Sequence, residues 1–160
     1  MKEPSPRLQI FQYGRWIGRK GVRISLVRGL HHRGLMEPQR SPLAEKVIGC
    51  AIEVHRALGP GLLESAYQRC LAHEFALNGL SAVWQVPLPI AYKGVHLACG
   101  YRIDCVVEHA LLVELKTVER VLPIHHAQIL TYLKLLEVRQ GLLLNFNARR
   151  LVDGLKSFLA

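Results

Sequence analysis

The chain has 160 residues, half of them apolar and 21% charged, with a formal net charge of +9. This is the composition of one globular domain with room for a core, and it excludes a disordered or low-complexity chain. No stretch approaches the roughly 20 apolar residues of a membrane helix, and no apolar leader with a small-residue cleavage site is present, so a cytoplasmic protein is expected.

The charge is uneven along the chain. Residues 1–35 hold eight Lys or Arg and one acid, Glu3, while residues 36–160 hold 13 basic and 11 acidic residues. Gly14, Gly18, Gly21, Gly29 and Gly34 interrupt any helical or strand period in the first segment. That segment reads as a basic, disordered arm; a transit-like peptide and a run upstream of a start at Met36 are the competing readings. The four cysteines, Cys50, Cys70, Cys99 and Cys105, form no CxxC and sit among apolar residues. They read as free, buried thiols in a reducing compartment.

Organised sequence begins at Ser41, an N-cap followed by Pro42 at the first helical position. Leu43, Val47, Ala51, Val54 and Leu58 recur at helical spacing, and Gly59-Pro60-Gly61 ends that helix. A second helix is expected over about 62–77, closed by Asn78-Gly79. Short β-like runs follow at 82–86, 88–92, 95–99, 101–107 and 111–116. Pro123 opens a helix to about Val138, residues 141–146 read as a buried strand, and residues 148–159 as a closing helix. This order predicts an α/β single domain: one mixed β-sheet flanked by helices.

Charges inside two of the apolar strands are the functional signal. Asp104 lies in the run 101–107, and Glu114 and Lys116 lie in the run 111–116. Unpaired buried charge is costly, so these groups are expected to pair, to bind metal or to sit at an accessible strand end. Glu114 and Lys116, two apart, share a strand face. A three-residue turn at Glu108-His109-Ala110 sets Val107 against Leu111 and Asp104 against Glu114; a two-residue turn separates them. The first register is expected, because it gathers the three charges. Two adjacent carboxylates invite a hard divalent cation, and a lysine beside them can orient a water or balance charge growing on a phosphate. That is the chemistry of phosphodiester hydrolysis.

Asp104 with Glu114-x-Lys116 resembles the core of the PD-(D/E)XK nuclease superfamily. Gly61-Leu62-Leu63-Glu64-Ser65-Ala66-Tyr67 resembles the motif of its GxxExxY branch, and Gln128-Ile129-Leu130-Thr131-Tyr132 resembles the QxxxY helix of related exonucleases. The likeness covers about residues 40–158. It implies a restriction-endonuclease-like sheet and a nuclease dependent on Mg2+ or Mn2+. Asp104, Glu114 and the Leu115 backbone carbonyl would be metal ligands, joined by Glu64 directly or through water. Lys116 would be the catalytic lysine, Gln128 and Tyr132 would position substrate or support Lys116, and Tyr67 would brace Glu64. The implied partner is nucleic acid, DNA ahead of RNA, with no membrane; a chain this small would gain specificity from a homodimer or a partner protein. Ala98 and His126 depart from the branch's pattern.

Plainer readings stand beside these. Glu64 is a solvated glutamate and Tyr67 a core tyrosine, Asp104 and Lys116 form a structural ion pair, and Gln128 and Tyr132 are helix-surface residues. The chain is then a non-catalytic module that keeps the fold to bind nucleic acid or a protein. His125 and His126, adjacent on a helix, point about 100° apart and chelate poorly together.

Overall fold

The computed structural model describes residues 40–97 and 101–160; the expected basic arm and the last two residues of the expected strand 95–99 lie outside them. Helix α1 spans Pro42–Leu58 and α2 spans Glu64–Leu77. Strands β1 (Ala82–Pro87), β2 (Ile90–Tyr92), β3 (Val95–Leu97), β4 (Arg102–Val107) and β5 (Leu111–Lys116) follow, then α3 (Pro123–Leu136), β6 (Gln140–Asn145) and β7 (Leu155–Leu159).

Local chemistry sets the helix ends. The Ser41 Oγ accepts the Ala44 N–H at 3.1 Å, and Pro42 occupies the first turn, where its missing N–H costs nothing. Gly59, at φ 68°, closes α1 in the left-handed region that favours glycine. Helix α2 begins at Glu64, two residues later than expected, because Gly61 at φ 101° keeps the preceding turn open. Glu64 is thus the first residue of its helix, where the dipole favours a carboxylate.

Five strands form one mixed sheet in the order β1-β4-β5-β6-β7. Only β5 and β6 run parallel, joined through α3; the other neighbours are antiparallel. Strands β2 and β3 form a separate hairpin about Lys93 and Gly94. The sheet is covered on both faces. One core joins α1 and α2 to Cys105, Val107, Leu111, Val113, Leu115, Leu142, Leu144 and Phe146. The other joins Ile129, Tyr132 and Leu133 of α3 to Val106, Leu112 and Leu143. A strand covered on both faces reads as a continuous apolar run, and β5 and β6 do so. Among the described residues no helix is long and apolar enough to cross a membrane.

One expected element is overturned. Residues 148–159 do not form a closing helix: Leu151–Gly154 is a 3-10 turn and Leu155–Leu159 is the edge strand β7. The apolar spacing of Leu151, Leu155 and Phe158 imitates a helix. Gly154 weakens that helix, and a Cβ there would lie 2.5 Å from the Asn145 carbonyl oxygen, so the chain passes against β6. Pairing then satisfies the polar edge of β6, and Leu155 and Phe158 enter opposite cores, as odd and even strand positions do.

Candidate active site

The β4–β5 hairpin takes the expected register. Val107 faces Leu111, Val106 faces Leu112 and Cys105 faces Val113, around a turn in which Glu108 and His109 adopt φ 49° and 53°. The ladder stops one pair short of Asp104 and Glu114. There the Asp104 Oδ2 takes the Leu115 N–H at 2.9 Å, so the carboxylate lies in the seam between the strands. Glu114 is 3% exposed, and its Oε1 accepts the Lys116 ammonium at 2.6 Å. Its other oxygen, Oε2, is buried without a hydrogen-bond partner.

Four groups influence one another's charge here. Burial, then the Asp104 charge, push the Glu114 carboxyl up to about 7, against the opposing pull of Lys116. Asp104 is raised by burial, with the Leu115 N–H and Lys116 pulling the other way. Glu64, half-buried at the start of α2, is raised by burial and by Asp104. Burial favours neutral Lys116, yet its hydrogen bond to Glu114 and the charges of Glu114, Asp104 and Glu64 raise it on balance. Three carboxyls thus feel one another around a single ammonium. Among the described residues no group of three or more His, Cys, Asp or Glu side chains is arranged to hold a metal ion unaided.

A family model of the PD-(D/E)XK nuclease superfamily matches residues 41–158. The chain belongs to that superfamily. No curated protein and no solved structure matches it. PD-(D/E)XK nucleases generally use divalent metals, and membership implies a nucleic-acid substrate.

The remaining expected residues fall in two groups. Tyr67 is fully buried and stacks on Phe146 at 4.5 Å. Its hydroxyl donates to the Gly59 carbonyl at 2.5 Å and accepts the Leu62 N–H at 3.2 Å, so it clamps the turn that leads into Glu64. Gln128 and Tyr132 pair with each other, Nε2 to hydroxyl, at 2.7 Å. They line a cleft of about 250 Å³ with Leu88, Ile90 and Tyr101. Tyr132 packs in the same core as Ile103 of β4 and Leu112 of β5, but neither helix residue bonds to Asp104, Glu114 or Lys116. His125 turns back to accept the Leu122 N–H, while His126 packs edge-on against Phe158, so the two do not converge.

Sequence reasoning missed three polar residues that hold the site. Gln85 and Gln68 reach it from β1 and α2. Asn145 ends β6 opposite Lys116 and is 4% exposed. Its amide accepts the Val118 N–H at 3.1 Å and donates to the Val118 carbonyl at 2.8 Å, fixing the chain just past Lys116. A signal for Asn145 existed: a polar residue closing an apolar buried strand must find partners. Asn145→Leu leaves both Val118 groups unpaired, and is expected to cost about 2–3 kcal/mol in denaturant unfolding. An unchanged midpoint would show that water replaces the amide at no cost.

Proposed function

We propose that this chain is a metal-dependent nuclease of the GxxExxY type, hydrolysing phosphodiester bonds with Mg2+ or Mn2+, and DNA in preference to RNA. One observation carries the reading: Glu114 keeps a buried carboxylate oxygen with no partner beside Asp104 and Lys116. A buried acceptor without a donor is expensive, and an acidic seam that holds one suits a hard cation. Asp104 and Glu114 would hold the ion. The Leu115 carbonyl supports a third contact, since a strand residue's N–H and C=O project to the same side and the Leu115 N–H meets Asp104. Glu64 would act through a water.

A bound divalent ion supplies neutralising charge at the phosphate and acidity to an attacking water. The chain's own residues do the rest. Glu114 holds the Lys116 ammonium in place, and Lys116 can donate to the water or to a phosphate oxygen as negative charge grows there. Asp104, tied to the Leu115 N–H, keeps its carboxylate in one orientation. Gln128 and Tyr132 present an amide and a phenol for a substrate strand lying along α3.

The test is cleavage of labelled single- and double-stranded DNA and RNA with Mg2+, Mn2+ or EDTA. Cleavage that needs the metal and disappears in Glu114→Ala is the expected result. Cleavage that survives Glu114→Ala overturns the assignment. Binding without cleavage under every condition turns the reading to a non-catalytic module.

A further inference from the structure

We propose that Gln85 is a positioning residue for Asp104, held in a strained backbone conformation by Gln68 and shaping the metal-binding carboxylate. The inference rests on the metal-nuclease reading for its functional half, while its structural half stands on the fold.

Gln85 sits inside β1 with φ 53°, in the left-handed region. The other non-glycine residues with positive φ, among those described, are in turns or at a helix end. An L-residue held there costs on the order of 1 kcal/mol and persists only where its surroundings impose it. The pairing of β1 with β4 keeps one register on both sides: Trp84 faces Cys105 and Val86 faces Ile103. Gln85 therefore faces Asp104, and these two make no ladder pair.

The sheet also changes phase at this point. Residues two apart in a regular strand share a face. Yet Trp84 and Cys105 pack beneath α1 and α2, whereas Val86 and Ile103 pack beneath α3. Both strands turn over at Gln85 and Asp104, with no residue inserted. That turn takes the Asp104 carboxylate out of either core and delivers it to the Leu115 N–H.

Gln68 closes the arrangement. The Gln85 Nε2 donates to the Gln68 Oε1 at 2.9 Å and stands 3.5 Å from the Asp104 Oδ1. An amide nitrogen carries two hydrogens, enough for both acceptors. Gln68 lies four residues after Glu64, on the same face of α2. The amide pair thus ties the helix of one carboxylate to the strand of another, and Asp104 is approached at both oxygens. Partners that orient metal ligands in this way are worth about 10–100-fold in metal affinity.

Gln85→Gly separates positioning from backbone strain, because glycine accepts the left-handed backbone and the side chain with its amide is lost. The expected protein unfolds at or above the wild-type temperature. Its Mn2+ affinity without substrate, read from the free Mn2+ paramagnetic resonance signal, falls about tenfold. Amide exchange at Leu115 quickens while Leu112 and Val113 stay protected. Gln68→Ala gives the same changes in weaker form, and adding it to Gln85→Gly changes little. Unchanged Leu115 exchange overturns the positioning role. Faster exchange with unchanged Mn2+ affinity overturns its metal-binding use. A wild type that binds no Mn2+ and cleaves nothing refutes the nuclease reading instead, and the exchange measurement still decides whether Gln85 places Asp104.

Discussion

Lys116→Met is expected to lower single-turnover cleavage by about 100- to 1,000-fold while substrate affinity changes little. The magnitude is that of removing one preorganised donor aimed at charge that develops in the transition state. Methionine keeps an unbranched apolar stem out to Cε and lacks the ammonium. Two effects then add. The growing phosphate charge loses its nearest cation, and Glu114 loses the partner that draws its carboxyl downward. Glu114 is held up to about 7 even with Lys116 present, so without it the carboxyl protonates at neutral pH and grips a cation less well. The optimum of the residual activity should therefore move to higher pH. Lys116→Arg separates the two effects. It keeps the positive charge, so stability and the pH profile should survive, but its planar fork does not reproduce an ammonium point charge, so the rate still falls. A Lys116→Met protein that cleaves at the wild-type rate would leave Lys116 a structural partner of Glu114.

How far the sequence reveals this site depends on what kind of information each residue carries. Local chemistry was legible: Ser41-Pro42 opened α1, and Gly59 closed it. The hairpin register was legible because one choice alone gathered three awkward charges, and the observed pairing of Val107 with Leu111 agrees. The closing strand was not, since Leu151, Leu155 and Phe158 fit both a helix and a strand serving two cores. Only the open edge of β6, a tertiary fact, decides between them. Gln68 left a faint signal, four residues beyond Glu64. Gln85 left none, because glutamine has no particular preference for left-handed backbone, and its conformation follows from where the two cores exchange sides. The residues that would do the chemistry are charged and out of place in apolar strands; the residues that aim them are neutral and ordinary in composition.

Glu114→Gln is expected to abolish cleavage and yet stabilise the metal-free fold near neutral pH, by about 1–2 kcal/mol. The sign follows from the raised carboxyl. A glutamate that titrates near 4.5 when unfolded and about 7 when folded binds more protons in the folded state between those values. Stability therefore falls as pH rises through that window, and the full penalty stands above about 7. Glutamine never ionises, so the variant escapes the penalty. The gain should be absent below about pH 4.5 and complete above about pH 7.5. It stays below the full value of the shift, because Lys116 loses a partner and only part of that loss is returned by Asp104 and solvent. Lys116 is charged throughout this range and adds no pH dependence of its own. Divalent metal should reverse the order: excess Mg2+ stabilises the wild type by RT ln(1 + [Mg2+]/Kd), rising with the logarithm of its concentration, and leaves the variant unmoved. Urea melts at pH 4.5, 6 and 8, each with EDTA and with Mg2+, read all of this. A variant less stable than wild type at pH 8 in EDTA would mark Glu114 and Lys116 as an ion pair that holds the fold together. A more stable variant that no longer responds to Mg2+ marks Glu114 as a residue kept at a cost to the fold for the ion it binds.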